Sequence, residues 1–304
     1  MKHNLKITII LVLLFLAAQF IGLYVLTKYV DINKTAATGT TIYKELPYRM
    51  ERPPTQGTST MIYVIISVAI GTILALLLIR FRQRNLWKMW FFLASWMCLS
   101  LAFAALMNPI VAAVLALLLA LWKVLKTNVY IHNITELFIY SGIAAVFVPV
   151  MNIWAAVVLL VIISIYDWIA VWKTKHMVTL ATSNDVVAVF PGLAISYKTD
   201  SKKQKTQKIS HKMIASKQNM APTPGLNTAV LGGGDIAFPL IFAGTAMKML
   251  GFFGASMIAI TAAVSLLILL MKAEKGKFYP AMPFLSAGCF VGFGIAYLVS
   301  LAWH

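Results

Sequence analysis

Nine long apolar stretches dominate this chain and leave few folds open to it: Ile7–Leu26, Met61–Ile79, Met89–Met107, Ile110–Leu125, Ile134–Val150, Ile153–Val171, Ala229–Met249, Phe252–Met271 and Pro280–Trp303. A bilayer core takes roughly 20 apolar residues per helix. Ile110–Leu125 and Ile134–Val150 are short for a full crossing and read as tilted or partly re-entrant. Charged residues make up 12% of the chain, about half of what a soluble domain carries, and the mean hydropathy is +0.84. The expectation is an all-α protein of nine transmembrane helices, multi-pass in the cell membrane. Lys2 and Lys6 before Ile7–Leu26 resemble the start of a signal peptide. The apolar run is too long for one and no small-x-small cleavage site follows, so it reads as a retained first helix. Cys98 and Cys289 both fall in apolar stretches and point to neither a disulfide framework nor a metal cluster.

The net charge of +17 invites a nucleic-acid reading, and topology removes it. With the N-terminus inside and sides alternating at each of nine spans, the inner side receives 20 of the 26 basic residues. The outer side keeps Lys28, Lys34, Lys44, Arg49, Arg52 and Lys248. Such a bias is an orientation signal, and it predicts a cytoplasmic N-terminus and an extracytoplasmic C-terminus.

Three parts follow: 1–171 with six helices, a cytoplasmic loop over 172–227, and 228–304 with three helices. Thr27–Thr60 reads as an outer loop, with Pro47, Pro53 and Pro54. Asn33-Lys34-Thr35 there matches a glycosylation sequon, a pattern common enough to arise by chance. Within the inner loop, Met177–Phe190 is β-branched and reads as a short extended segment. Lys198–Pro224 is polar and lysine-rich and reads as a disordered basic linker.

Of nine acidic residues, seven (Asp31, Glu45, Glu51, Glu136, Asp185, Asp200, Glu274) read as loop or span-end groups. Asp167 and Asp235 alone sit well inside apolar surroundings. A carboxylate there costs about 2.5–3.5 kcal/mol on insertion scales and usually marks a functional cavity; the bland alternative is a polar contact between helices. Counting residues at 1.5 Å each places Asp167 about 6 Å and Asp235 about 9 Å below the same inner boundary. Two carboxylates at matched depth on consecutive antiparallel helices can share a site and a proton. One then accepts a proton from water while the other polarises a carbonyl, which needs no metal and no cofactor. No His-Glu-x-x-His and no Gly-x-Ser-x-Gly offers competing hydrolytic chemistry.

Gly232-Gly233-Gly234 precedes Asp235. Absent side chains and unusual backbone angles would allow close approach to it, although a small-residue packing face explains the run equally well. Pro239 loosens the helix that follows. Pro280-Ala281-Met282-Pro283 opens the ninth stretch on the same inner side. Paired prolines keep backbone out of regular helix, which a membrane tolerates only beside a cavity or buried in protein. An ordinary proline start to a helix is the simpler account of Pro280.

Tyr166-Asp167, Gly232-x-Gly234-Asp235 and Pro280-Ala281-Met282-Pro283 together resemble the Tyr-Asp, Gly-x-Gly-Asp and Pro-Ala-Leu motifs of the presenilin and signal peptide peptidase family of intramembrane aspartyl proteases. In that family the motifs occupy segments six, seven and nine, as here. Met282 stands where the family usually has Leu, a volume-conserving change. Met177 to Pro191 is similar to the stretch after segment six of signal peptide peptidases, whereas the inferred orientation is that of presenilin. Small size and short loops point to a prokaryotic or archaeal member.

The resemblance implies a protease acting on transmembrane peptides, with Asp167 and Asp235 catalytic. Gly232, Gly233 and Gly234 would permit approach, and Pro280 to Pro283 would shape the substrate site. Tyr166 would be a neighbour of the site, pointing about 100° away from Asp167 on a regular helix. A helical substrate must unwind to be cut, so an extended strand is expected, with Met177–Phe190 and Pro280–Pro283 as pairing edges. Two other readings stand beside it. A prepilin-type peptidase also uses a Gly-x-Gly-Asp aspartate without needing the proline motif. A proton-coupled transporter or channel uses paired carboxylates as a relay.

Overall fold

The computed structural model describes residues 4–81, 84–126, 128–173, 191–198, 226–274 and 279–302. Short polar side chains set where its apolar helices begin. Asn4 caps α1 (Leu5–Tyr29), Asn108 caps α5 (Pro109–Leu125), Asn128 caps α6 (Val129–Phe147) and Asn152 caps α7 (Ile153–Trp168). Each side chain accepts a backbone N–H that the first helical turn leaves without a partner. In the connection after α1, Asp31 caps the short α2 (Ile32–Thr38) in the same way, and the Asn33 sequon lies on that helix. The remaining helices are α3 (Thr58–Arg80), α4 (Arg84–Ala104), α8 (Gly233–Lys272) and α9 (Met282–Ala302).

Among the described residues six helices are long and apolar enough to cross a membrane, and Thr58–Leu74 and Pro109–Leu125 are shorter apolar helices. Large apolar side chains such as Ile110, Trp154, Phe253 and Leu298 point outward, each more than 65% exposed. A soluble chain rarely shows so much apolar surface; lipid covers it at no cost. This is a multi-pass membrane protein.

α8 is the centre of the molecule. It packs against α9, α1, α6 and α7, and the main core runs through Phe15, Leu23, Leu240, Phe242, Ile258 and Leu285. Its 40 residues are broken at Gly251, whose φ of 66° and ψ of −175° end one helix and start another. That backbone conformation is in the left-handed half of φ/ψ space, which glycine enters without penalty. α4, α5 and α6 build a second core from Leu99, Phe103, Ala112, Ala116 and Ile139. α4 and α6 approach so closely that a Cβ on Gly142 would lie 2.1 Å from the Cys98 carbonyl oxygen.

Two expectations need correction. The stretch from Ala229 does not open as helix: Leu226–Gly232 is strand β2, paired antiparallel with β1 (Gly192–Lys198) in a register from Gly192–Gly232 to Lys198–Leu226. Residues 226–232 carry the β-branched Thr228 and Val230 among apolar neighbours, which suits a half-buried strand, and Gly232 ends it as the cap of the helix that follows. Helix therefore begins at Gly233, and Asp235 lies in its first turn. Glu136 is no span-end group. It lies within α6, fully buried, paired with the buried Lys123 of α5. The connection after α1 is tied down, for Val30 bridges Tyr43 and the Arg52 guanidinium donates to the carbonyls of Lys44 and Ala145. The expected extended segment Met177–Phe190 and the basic stretch 199–224 lie outside the described residues.

Candidate active site

α7 carries Asp167 on its last α-helical turn and then widens into a π-helical turn, Ile169–Lys173. The aspartate is buried. Its Oδ2 accepts the backbone N–H of Met282 at 3.0 Å, and the Ala281 amide lies against the same carboxylate. Those amides belong to the start of α9, where the first turn's donors have no partner inside the helix and the dipole favours negative charge. One turn deeper Ser164 and Ser286 share a hydrogen bond of 2.7 Å between their hydroxyls. The proline motif is thus tied directly to Asp167.

The motif itself departs from expectation. Pro280 and Ala281 are outside helix, but α9 starts at Met282 and Pro283 sits within its first turn. A proline is well accommodated there, since its missing N–H would have had no helical partner. Only the first half of Pro280–Pro283 is therefore irregular backbone.

Gly232 is the N-cap of α8 and Asp235 is its third residue, with its carboxylate turned back toward the Gly232 amide. This is the returning half of a capping box. The three glycines differ in what they permit. A Cβ on Gly232 would lie 3.2 Å from Asp235 Oδ2, and one on Gly233 would lie 3.1 Å from the Tyr140 hydroxyl and 3.3 Å from Pro191. One on Gly234, which is exposed, would meet only Phe238 at 3.5 Å. None of the three has a positive φ, so space and not unusual backbone explains them.

Asp235 is half-buried and within electrostatic reach of Asp167. The structure therefore brings together Asp167, Asp235, the glycine run and Ala281-Met282. Tyr166, half-buried, is adjacent to Asp167 in the same helical turn. Gln19 went unnoticed in the sequence. It is wholly buried on α1 and its Nε2 donates to the Ile236 carbonyl at 2.9 Å, one residue past Asp235. Pro239 withdraws the donor that would serve the carbonyl of Asp235, so this turn of α8 is held partly from outside the helix. A lone amide inside an apolar stretch was the available signal. Among the described residues, no three His, Cys, Asp or Glu side chains converge as metal ligands.

Residues 21–302 match the family model described as signal-peptide peptidase, presenilin aspartyl protease. The chain belongs to that family. The match reaches back to α1, far beyond the three motifs that carried the resemblance. The fold agrees. A solved presenilin family intramembrane aspartate protease in a C222 space group superposes with a TM-score of 0.60 at 18% identity, covering 96% of this chain and 99% of that one. Another such structure in a P2 space group gives 0.57 at 18% identity, covering 95% and 96%. No curated protein matches the chain in sequence. As a presenilin-family member it is an intramembrane aspartic endopeptidase, which sets aside the prepilin-type and transporter readings.

Proposed function

We propose that Asp167 and Asp235 are the catalytic pair with which this membrane protease hydrolyses peptide bonds inside transmembrane segments. The observation that carries the assignment is their meeting: one from the end of α7, one from the start of α8, within electrostatic reach of each other, with Asp167 pinned by the Met282 amide. Two such carboxylates cannot both ionise cheaply and hold one proton between them. The ionised member takes a proton from a water, whose oxygen attacks the scissile carbonyl carbon. The protonated member gives its proton to the carbonyl oxygen, forming a gem-diol. Collapse returns a proton from the diol to one carboxylate, the other protonates the amide nitrogen, and the C–N bond breaks.

The substrate strand adds to the outer edge of β2. β1 already occupies one side of β2 and itself lies against α6, while Val230 is exposed, and β2 runs directly into Asp235. This adds β2 to Pro280–Pro283 and Met177–Phe190 as a pairing edge, the last lying outside the described residues. Strand addition gives affinity through main-chain hydrogen bonds. Nine spans are supported by the six long helices, the two shorter apolar ones and the break that divides α8. The basic-residue bias supports a cytoplasmic N-terminus in the cell membrane.

Asp167→Asn and Asp235→Asn, each purified and tested on a transmembrane peptide, should nearly abolish cleavage while the protein remains folded. Substantial cleavage by either would remove the shared-proton assignment.

A further inference from the structure

A buried ionic network on α5 and α6 reaches the active-site hairpin from the side opposite the substrate edge. Lys123 and Glu136 pair with side chains only 1% exposed each. The Glu136 carboxylate also accepts the Tyr140 hydroxyl and, at 3.1 Å, the backbone N–H of Gly192 at the start of β1. His132 Nε2 lies 2.8 Å from the Gly192 carbonyl oxygen. Asn133 makes both bonds a neighbouring strand would make: its Oδ1 accepts the Ala194 N–H at 3.0 Å and its Nδ2 donates to the Ala194 carbonyl at 2.7 Å. Alternate strand residues face the same edge, so these side chains replace a third strand along β1. The chain of contacts continues to the catalytic turn. Gly192 pairs with Gly232, Gly233 donates to the Pro191 carbonyl at 3.1 Å, and the Tyr140 hydroxyl closes the space beside Gly233.

Such a network is a poor way to gain stability. Desolvating a Lys–Glu pair costs several kcal/mol per ion, and apolar side chains of similar volume are often neutral or better. What an ionised glutamate supplies is two oxygens that only accept, here facing a hydroxyl and a strand amide. Lys123 keeps it in that form without competing for the strand.

We infer that Glu136, Asn133 and His132, with Lys123 behind them, are positioning residues: they close the free edge of β1 and fix the register of the hairpin, and so set which substrate bond lies between the aspartates. The inference rests on the assignment of Asp167 and Asp235 as the catalytic pair. It makes the register of cleavage a property of α6, a helix other than α7 and α8, which carry the aspartates.

The test is the map of cleavage products from one transmembrane peptide, read by mass spectrometry with kcat and KM, in the full-length protein in detergent. The double variant Lys123→Met with Glu136→Leu removes the charges and keeps the volume. It should still fold, with some loss of thermal stability because the Tyr140 hydroxyl and the Gly192 N–H lose their acceptor, and cleave about tenfold more slowly in kcat and at several neighbouring bonds. Asn133→Ala should spread the cleavage sites in the same way, and so should His132→Ala, which loses the contact with the Gly192 carbonyl. Lys123→Arg, retaining the cation, should restore the single site. An unchanged product map in folded variants overturns the inference, and so does activity that falls only in proportion to the folded fraction with the map intact. Should one variant not assemble, the others carry the same requirement. Asp167→Asn distinguishes the two failures. If it stays active, the catalytic assignment is wrong; if it is inactive while the α6 variants cleave normally, only the positioning role is lost.

Discussion

Gly234 offers the sharpest separation of structure from chemistry at this site. It is exposed in the first turn of α8, and a Cβ there would meet only Phe238, at 3.5 Å, an ordinary contact. Nothing in the folded protein requires glycine at this position. Replacing a helical glycine by alanine favours the fold by about 0.5–1 kcal/mol, so Gly234→Ala should be as stable as the parent or slightly more so. Its methyl group nevertheless stands one residue before Asp235, where the substrate strand proposed to add to β2 would pass. A displacement of the scissile bond by ~1 Å costs about 100-fold in rate. The expected result is a well-folded protein with cleavage reduced by about two orders of magnitude. Gly233→Ala provides the contrast. Its Cβ would press on the Tyr140 hydroxyl at 3.1 Å and the Pro191 backbone at 3.3 Å, and overpacking costs about 1–3 kcal/mol, more than the helix gains. Thermal unfolding in detergent and cleavage of one peptide, measured on the same preparations, decide the matter. A stable Gly234→Ala protein cleaving at the parental rate would refute substrate passage at that residue.

Other outcomes are equally definite. Pro280→Ala with Pro283→Ala should extend α9 toward Tyr279, disturb the amides that face Asp167 and lower cleavage sharply with the protein assembled; undiminished activity would deny the motif any role in holding Asp167. A double-mutant cycle on Ser164→Ala and Ser286→Ala should return a coupling of about 0.6 kcal/mol, the average for such pairs in membranes, and a value of zero would mean that the two hydroxyls are satisfied separately by backbone. A reporter fused after His304 should lie outside the cytoplasm and one inserted near Lys208 inside; both on one side would break the alternation of nine spans.

The aspartates were legible because a carboxylate among apolar neighbours is costly and therefore conspicuous, and the motifs around them were legible as a set. Glu136 and Lys123 were not. Each lies close to an end of its own apolar stretch, where a charge is unremarkable, and only the packing of α5 on α6 turns the two toward each other. β1 and β2 were hidden for a different reason. Ala229-Val230-Leu231 merges with the apolar residues that follow, and short apolar runs look alike in strand and helix. The pairing that makes them strands joins segments separated by residues 199–225. Gln19 illustrates a third limit, because its meaning depends on a carbonyl 217 positions away.

The hairpin's far end has a consequence for how the protein could be divided. Lys198 pairs with Leu226, so the two ends of the intervening segment are joined by the sheet itself. Closing such a loop depends only weakly on its length, about 0.6 kcal/mol for each doubling. The two parts that carry Asp167 and Asp235 are held to each other by α7, α8 and α9 packing and by this ladder, not by the covalent link between them. A chain made as two polypeptides, severed anywhere within 199–225, should reassemble in the membrane with both aspartates in place.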